Sequence, residues 1–446
     1  MNTALRLAAR RPVLGAVLGL ISVVIVGTAL LLLPGTRAGG SSAPLLVALF
    51  SATSAVCASG LSVVDTGSYW SGFGQAVLLV LMQVGGLAVM IVTSLLALTV
   101  AERLGLSTRL LADSGTGGLT PRTIRRVVRG TVLLALSIEA ASMLVLTLRL
   151  WLAHGYPVGR ALWYATFHSV SAFTNCGLTL WKDSLIGLGP DALMLILLAI
   201  AFVLGGLGYP VLLELATVRP RFRWSLHTKL TLSATALLAV LGPVMVLLTE
   251  WSNPATLGRL SLSGRVIEGV FAGLSPRSAG LATLDFSAAR PASRLAVDML
   301  MLIGGGSGST AGGVKVTTVA VLVLAVAAEV RGRRDVEVMG RRIGSGTVRQ
   351  AIAVVAIAGT TVAAGTFALL AISGAGLDQV LFEVSSAFGS SGLTTGLTER
   401  LPASGQLVMI LLTLTGRIGP IAVGTALALR QIRQAFRYTE ARPVIG

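Results

Sequence analysis

The sequence predicts an all-α polytopic membrane protein with eight transmembrane spans and four re-entrant pore helices in a pseudo-fourfold arrangement around one pore. Three observations support this fold class. The 446 residues are only 12% charged, about half the share of a soluble protein. Apolar runs of about 20 residues, the length that crosses a bilayer, occur throughout. A tetrapeptide of the form x-x-Gly-Leu occurs four times, which is typical of an internally repeated unit.

Eight apolar runs are interpreted as the transmembrane spans. They lie near residues 12–33, 73–100, 131–152, 190–216, 230–249, 295–328, 350–372 and 405–429. The first run follows Arg6, Arg10 and Arg11, as the apolar part of a signal peptide would. It is long for such a segment and no A-x-A-like cleavage site follows it, so a span is favoured.

Positive charge is concentrated in the two tails and in alternate loops. The net charge is +17, and 23 of the 35 Lys and Arg residues lie in segments 1–11, 102–129, 219–229, 331–349 and 430–446. With eight spans these segments share one side, so the positive-inside rule predicts a plasma-membrane protein with both termini in the cytoplasm. The basic clusters could also contact anionic lipid. Nucleic-acid binding is disfavoured because no basic stretch is interleaved with aromatic residues.

The repeated tetrapeptide is the strongest functional signal. Its copies are Ala58-Ser59-Gly60-Leu61, Asn175-Cys176-Gly177-Leu178, Ser278-Ala279-Gly280-Leu281 and Ser390-Ser391-Gly392-Leu393, with glycines 117, 103 and 112 residues apart. Because glycine adopts backbone conformations closed to other residues, these positions indicate that backbone faces a shared axis.

Each tetrapeptide follows a segment too short to cross the membrane. Before the second copy this segment is Val158–Phe173, and before the fourth it is Leu377–Phe388. A segment that enters without crossing must return, and irregular backbone at this depth is tolerated only inside protein or along a wet cavity. The alternative of four unrelated extracellular loops leaves the recurring order of parts unexplained. The predicted repeats are residues 1–101, 102–218, 219–330 and 331–446.

A second set of glycines supports the repeat. Glycines at a similar offset, 24 to 28 residues after each tetrapeptide glycine, predict breaks inside the closing spans: Gly85-Gly86, Gly205-Gly206, Gly304-Gly305-Gly306 and Gly416. Small residues would also allow close helix packing. The shared offset favours internal duplication.

The tetrapeptides predict a binding site for an alkali cation, made of backbone carbonyls. A re-entrant helix directs the negative end of its dipole towards the axis. Four extended strands can then stack rings of carbonyl oxygens that replace the water around an alkali cation. A ring of Asp or Glu, expected for a divalent cation, is missing. The predicted ion-binding residues are Ala58, Ser59, Gly60, Asn175, Cys176, Gly177, Ser278, Ala279, Gly280, Ser390, Ser391 and Gly392.

The two cysteines and three histidines predict no metal site. Cys57 and Cys176 lie at or beside tetrapeptides, where they are interpreted as small residues in the closely packed wall of the pore. The sequence has no C-x-x-C motif. The histidines His154, His168 and His227 are too scattered to indicate a metal.

The closing span of the third repeat contains GGGSGSTAGG, which predicts an unwound segment lining a cavity, since each glycine costs a helix about 1 kcal/mol. A phosphate loop is disfavoured because Val314 stands where its lysine belongs, with Lys315 one place late. Gly306, Gly308 and Ala311 match a dinucleotide fingerprint, which is weak without a βαβ unit. A membrane enzyme that binds nucleotide at 304–315 is therefore the alternative function. No residues suggest covalent chemistry, so the sequence predicts no enzyme.

Four charged residues lie near these features. Arg417, inside the last span, should face a cavity or a partner; it could bond carbonyls of the unwound segment or repel cations below the tetrapeptides. Lys315 has two open interpretations, a gating role or snorkelling to the cytoplasmic interface. Asp65 could attract cations or cap a turn. Glu383 could hold the fourth tetrapeptide by hydrogen bonds.

With these motifs the chain resembles the Trk/Ktr/HKT superfamily of potassium transporters, most closely its KtrB membrane-subunit branch. The resemblance covers nearly the whole chain, and its most specific stretch is SAVCASGLSVVDTGSYWSGFGQ, residues 54–75. It implies four M1–P–M2 units with one filter glycine each. A counterpart of the extra N-terminal pair of spans of the TrkH branch is not expected in this chain, which favours the KtrB branch. All four copies end in Gly-Leu where the family often has Gly-Phe, and Cys176 is unusual. A sodium-selective or poorly selective monovalent cation pore of the same fold is an alternative, although Gly60 favours potassium.

The resemblance also implies how the pore is gated and what binds it. The unwound segment would block the pore, and the family has an arginine matching Arg417. The implied partners are a second copy in a homodimer, membrane lipid, and a cytoplasmic ring of KtrA-like regulatory subunits that binds nucleotide. The chain itself needs no cofactor beyond the transported K⁺. The implied gate residues are Gly304, Gly305, Gly306, Ser307, Gly308, Ser309, Thr310, Ala311, Gly312, Gly313, Lys315 and Arg417.

Overall fold

The structure is a computed structural model that describes residues 12–103, 121–218 and 224–429, and this part of the chain is mostly helical. The α-helices are α1 (Pro12–Leu31), α2 (Leu45–Val56), α3 (Thr66–Tyr69), α4 (Gly72–Arg103), α5 (Pro121–Leu152), α6 (Val158–Phe173), α7 (Ala192–Leu207), α8 (Tyr209–Thr217), α9 (Leu226–Glu250), α10 (Leu262–Leu274), α11 (Pro291–Leu302), α12 (Val316–Val330), α13 (Ser345–Ser373), α14 (Leu377–Gly389) and α15 (Ala403–Leu429). Two short strands, β1 (Val336–Val338) and β2 (Arg341–Ile343), lie between α12 and α13.

Five of the described helices, α1, α4, α5, α9 and α13, are long and apolar enough to cross a membrane. The pair α7 and α8 adds a sixth span if it counts as one, although its two parts meet at 98°. The run predicted at 295–328 is divided between α11 and α12, and the run at 405–429 lies within α15. The chain is therefore a polytopic membrane protein, while the count of eight spans stays a prediction. The basic segments 1–11 and 430–446 at the two ends lie outside the described residues, so the cytoplasmic side of both termini also stays a prediction.

Short helices alternate with the long ones and pack in a closed order. The short helices α2, α6, α10 and α14 each contact the long helix that precedes them: α1, α5, α9 and α13. Each also contacts the closing helix of the preceding quarter of the chain, in the pairs α2 with α15, α6 with α4, α10 with α7, and α14 with α11. The two predicted re-entrant segments correspond to α6, with the same bounds, and to α14, which continues one residue further.

The predicted glycine breaks are wrong in three of the four closing helices. Gly85, Gly205 and Gly416 lie inside the continuous helices α4, α7 and α15. A Cβ at any of them would collide with a backbone carbonyl oxygen near the end of a short helix; the oxygens belong to Val56, Phe173 and Phe388, respectively. These glycines therefore permit close approach of two helices rather than a break. They share one register, because each of those carbonyls lies four residues before the tetrapeptide glycine.

The break in the second closing helix lies at Gly208, between α7 and α8. Gly208 has a φ of +92°, which few residues except glycine adopt. A Cβ on Gly208 would lie 2.8 Å from the carbonyl carbon of Gly308, in the segment between α11 and α12. The bend therefore leaves room for that segment.

The β1–β2 hairpin is an addition to the expected all-α fold. Its turn consists of Met339 and Gly340, both with positive φ (51° and 73°), which is the two-residue turn that suits a hairpin. Ile343 of β2 packs with Leu230, Val321 and Ala351 in a small apolar cluster. The alternation of Val336 and Val338 around a charged residue was the sequence signal for this strand.

Candidate ion-binding site

Each tetrapeptide begins where a short helix ends. In three copies the first residue is left-handed, and two backbone bonds close the helix in the pattern of a Schellman motif. In the first copy the Ala58 N–H donates to Ala55 O (3.2 Å) and the Ser59 N–H to Ser54 O (2.9 Å). The second and fourth copies repeat both bonds at the same positions: Asn175 to Ala172 (3.1 Å), Cys176 to Ser171 (2.8 Å), Ser390 to Ala387 (3.2 Å) and Ser391 to Ser386 (2.9 Å).

The third copy reaches a similar backbone shape by another route. Pro276 lies four residues before Gly280 and has no N–H to continue the helix. The helix α10 therefore ends at Leu274, and the Ala279 N–H donates to Ser275 O at 2.9 Å instead. Ser278 still adopts a positive φ of 77°.

The backbone of all four copies alternates in the sign of φ. The first residue of each copy has a φ between 49° and 77°, and the glycine two places later has a φ between 67° and 86°. The residue between them is outside the positive-φ region. Alternation of this kind turns successive carbonyl groups to the same side of a strand. Non-glycine residues rarely have positive φ, so its occurrence in all four copies indicates a functional constraint.

The four glycines meet in a closed ring. A Cβ added to any of them would collide with the backbone of the next copy along the chain, and the fourth copy meets the first. The pairs are Gly60 with Cys176 O, Gly177 with Gly280 Cα (2.5 Å), Gly280 with Ser391 O (2.5 Å) and Gly392 with Ser59 O (2.6 Å). Each quarter of the chain therefore contributes one strand to the same place, and no side chain fits at the glycine positions.

The side chains of the tetrapeptides point into protein. The Ser278 hydroxyl donates to Gly389 O (3.1 Å) and the Ser391 hydroxyl donates to Pro276 O (3.0 Å), which ties the third and fourth quarters together. The Cys176 thiol lies 3.9 Å from Ser54 O of the first quarter. Both cysteines are buried free thiols. Among the described residues no group of three or more His, Cys, Asp or Glu could hold a metal ion.

The segment 303–315 between α11 and α12 is not helical, so the predicted interruption is confirmed. Its two ends lie side by side in the same direction: the Gly304 N–H donates to Val314 O (2.8 Å), and the Val314 N–H donates to Leu302 O (3.1 Å). Because the helix is interrupted at Gly208, carbonyl groups at the end of α7 have no partner within the helix. They accept hydrogen bonds from the segment instead: the Gly306 N–H donates to Gly206 O (2.8 Å) and the Thr310 N–H donates to Gly205 O (3.2 Å).

The segment 303–315 lies directly against two tetrapeptides. The Thr310 hydroxyl accepts from Asn175 Nδ2 at 2.7 Å and donates to Phe173 O at 3.1 Å. A Cβ on Gly312 would collide with the Ser390 hydroxyl. The structure therefore joins the predicted gate residues to the second and fourth copies of the predicted ion-binding residues.

Two buried cations hold the carbonyls of this segment. Arg417 is 1% exposed, and its Nη1 donates to Thr310 O. Lys315 is 7% exposed, and its Nζ donates to Ala311 O at 2.6 Å, which excludes snorkelling to the interface. No described acidic side chain forms an ion pair with Arg417. Its Nε and Nη2 have no hydrogen-bond partner among the described residues, so no described side chain neutralises its charge.

Asp65 and Glu383 both act as hydrogen-bond acceptors. The Asp65 carboxylate caps α3, accepting from the Gly67 N–H (3.2 Å) and the Ser68 hydroxyl (2.5 Å), as the turn-capping interpretation expected. Glu383 is fully buried in α14 and accepts from Thr395 N–H at 2.7 Å, just beyond the fourth tetrapeptide. The predicted contact between Glu383 and the residues around the tetrapeptide is therefore present.

Sequence reasoning missed His168. It lies in α6, fully buried, and its Nε2 accepts from the Leu180 N–H at 3.3 Å, just beyond the second tetrapeptide. A lone histidine in an apolar segment carries little signal. The signal that could have identified it is its register, because His168 precedes Gly177 by nine residues and Glu383 precedes Gly392 by the same number.

Comparison with known proteins gives concordant results. Residues 7–434 match the family model TrkH, described as cation transport protein. The chain is 36% identical over 431 residues to the Ktr system potassium uptake protein B of Bacillus subtilis (strain 168), covering 96% of this chain and 95% of that protein. It is 30% identical over 437 residues to the potassium/sodium uptake protein NtpJ of Enterococcus hirae, covering 96% of each. The crystal structure of the potassium transporter TrkH from Vibrio parahaemolyticus superposes with a TM-score of 0.73 at 18% identity, over 95% of this chain and 85% of that one.

Proposed function

The chain belongs to the TrkH family of cation transport proteins, and on that premise we propose that it carries potassium ions into the cell through one central pore across the plasma membrane. It is a membrane transporter and not an enzyme. The proposed architecture is four M1–P–M2 repeats in pseudo-fourfold arrangement, with both termini in the cytoplasm. The observation that carries the proposal is the closed ring of Gly60, Gly177, Gly280 and Gly392, in which every glycine is too close to the next strand for a side chain.

In the proposed filter, the carbonyl oxygens of the four strands replace the water around a dehydrated ion. The alternating sign of φ supports this, because it turns successive carbonyls of one strand to one side. The helix dipoles of α2, α6, α10 and α14 add negative potential at their C-terminal ends, where the strands begin. Backbone carbonyls and helix dipoles do not gain or lose protons with pH, so the filter would hold a monovalent cation without a carboxylate.

We also propose that the segment 303–315 closes the pore on the cytoplasmic side of the filter. Its contacts with Asn175 and Ser390 support a position directly below the filter strands. Arg417 both fixes the segment through Thr310 O and adds a positive charge that repels cations. Opening would move the segment and release the Arg417 bond.

The proposed partners are a second copy of the chain and a cytoplasmic ring of nucleotide-binding regulatory subunits. The relative from B. subtilis supports a partner, since its name describes one protein of a Ktr system. The chain would bind nucleotide only through that partner. A nucleotide site at 304–315 is disfavoured, because the N–H groups of Gly304, Gly306 and Thr310 already donate to backbone carbonyls and cannot cradle a phosphate.

Uptake of rubidium by the full-length protein in proteoliposomes tests this function. Wild-type protein should take up Rb⁺, and Gly392→Ser should reduce uptake or its selectivity over Na⁺ by about tenfold or more, since the added side chain displaces backbone at a cost of about 1–3 kcal/mol. Gly374→Ser is the matched control, because Gly374 also has a positive φ (64°) and a Cβ there meets nothing within 4 Å. Unchanged uptake and selectivity in Gly392→Ser would remove the fourth strand from the filter.

A pore of lower selectivity is the second candidate. It is favoured by the similarity to a relative described as a potassium/sodium uptake protein. Reversal potentials in mixtures of K⁺ and Na⁺ separate the two. A potential that follows the K⁺ gradient alone supports potassium uptake, and one that follows both gradients supports the second candidate.

A further inference from the structure

Two of the four short helices carry a buried acceptor in the same register. Glu383 and His168 each lie nine residues before the tetrapeptide glycine. Each accepts a hydrogen bond from the backbone N–H three residues after that glycine: Thr395 N–H for Glu383 (2.7 Å) and Leu180 N–H for His168 (3.3 Å). We call these two contacts the flank bridges, because they tie the outer flank of a tetrapeptide back to the helix that precedes it.

The flank bridge of Glu383 is extensive. Its Oε1 also accepts from the hydroxyls of Thr394 (2.8 Å) and Thr395 (2.9 Å), and its Oε2 accepts from the Thr398 hydroxyl (2.5 Å). A carboxylate that is fully buried needs such donors, because burial without partners is costly. One side chain therefore fixes four donors on residues 394–398.

The flank bridge of His168 requires one particular form of the imidazole. Because Nε2 accepts the Leu180 N–H, it carries no proton, and Nδ1–H donates to Tyr164 O at 2.7 Å. The Thr179 hydroxyl lies 3.0 Å from the same Nε2. The ring stacks on Trp181 with centroids 3.8 Å apart, which fixes its plane. His168 is therefore locked as a neutral acceptor.

The first and third quarters lack this acceptor. At the matching register the first quarter has Ser51, whose hydroxyl has no hydrogen-bond partner, and the third has Phe271. The third quarter is tied differently, by the Thr283 hydroxyl donating to Glu268 O at 3.2 Å. In the ring of glycines the second and fourth quarters are not neighbours, so the flank bridges lie across the ring from each other.

We propose that His168 and Glu383 are a paired set of selectivity-determining positioning residues, which hold two opposite strands of the filter at a fixed separation. A ring held at the spacing of a larger ion cannot contract around Na⁺, and release of one flank lets two opposite strands approach. This inference rests on the proposed function and adds to it that resistance to contraction comes mainly from the second and fourth quarters.

Competition between ions in proteoliposomes tests the pair. Uptake of radioactive rubidium by the full-length protein is measured with rising external Na⁺. For His168→Leu, which removes the acceptor at similar volume, the Na⁺ concentration that halves uptake should fall about tenfold, as the loss of a buried hydrogen-bond partner predicts. His168→Gln, whose amide oxygen reaches the position of Nε2, should restore the wild-type value. Ser51→Ala, at the same register in the first quarter, should leave it unchanged.

Two further results decide the proposal. Thr398→Val removes one donor to Glu383 while keeping the shape of the side chain, and it should lower the half-inhibiting Na⁺ concentration in the same direction even if His168→Leu does not fold. The pair is overturned if Thr398→Val or a well-folded His168→Leu keeps wild-type Na⁺ competition, or if Ser51→Ala changes it equally. A wild-type protein that takes up no Rb⁺ would instead contradict the proposed function itself.

Discussion

The ring of tetrapeptides and the segment 303–315 are in contact, but the ring is repeated in every quarter of the chain and the segment is not. The ring takes one strand from each quarter of the chain, and its four strands share the same alternation of φ. The segment 303–315 occurs once, in the third quarter, and is held by side chains of other quarters, Asn175 and Arg417. The comparison teaches that the proposed filter, which needs equal oxygens on all sides, uses the repeat, while the proposed gate, which is a single moving part, departs from it.

The two regions also differ in what holds them. In the ring, backbone lies against backbone, and a side chain on any glycine would displace a neighbouring strand. The segment is held instead by hydrogen bonds, from its backbone N–H groups to the carbonyls at the end of α7 and from the side chains of Thr310, Lys315 and Arg417. Changes in the ring should therefore remove transport, and changes in the segment should increase it.

The largest effect should follow a change in the ring. Gly177→Ala places a Cβ 2.5 Å from Gly280 Cα at a φ of +81°. Relief of that clash needs a backbone shift costing about 1–3 kcal/mol, and Rb⁺ uptake should fall about ten- to 100-fold at about 1.4 kcal/mol per tenfold. Gly374→Ala is the control, because Gly374 also has a positive φ (64°) and a Cβ there meets nothing within 4 Å. Equal losses in the two variants would show that strain, not the ring, is responsible.

A smaller effect of opposite sign should follow a change at the segment. Arg417→Gln removes a charged donor to Thr310 O, a bond worth about 1.5–3 kcal/mol. Rb⁺ uptake by the protein without regulatory subunits should rise about tenfold. A chain shortened within Gly304–Gly313 should behave in the same way. Loss of uptake in well-folded protein would mean that the segment supports conduction instead of blocking it, and the comparison would break.

The smallest effect should occur outside both regions. Asp65→Ser keeps a side chain that caps α3, because serine and aspartate cap helices about equally well. Uptake should stay within about twofold of wild type, with the same apparent affinity for Rb⁺. A large rise in the Rb⁺ concentration needed for half-maximal uptake, with an unchanged maximal rate, would instead give Asp65 a role in attracting cations to the outer mouth.

The parts of the fold that depend on strong local signals could be predicted from the sequence. The bounds of α6 follow from Pro157 before it and from Asn175 after it, so Val158–Phe173 was predicted without error. The unwound segment follows from its glycine content. The motif that marks each tetrapeptide also predicted four related strands, but only the structure brings their glycines together.

What escaped prediction depends on contacts between distant residues. Gly205 permits a helix to pass a carbonyl, while Gly208 bends the chain, and the sequence does not distinguish the two uses of glycine. His168 has no local signal, because its partner Leu180 is an ordinary apolar residue whose N–H does the bonding. Lys315 was ambiguous until its position against Ala311 O was known.

Gly85, Gly205 and Gly416 have a mechanical consequence. At each of them a closing helix (α4, α7 or α15) packs so closely against the last turn of a short helix that a methyl group would not fit. An opening in which α4, α7 and α15 tilt away from the short helices would break all three of these contacts at once. The region around these three glycines is therefore expected to be rigid, so that the movement proposed for the segment 303–315 would leave the proposed ion-binding strands in place.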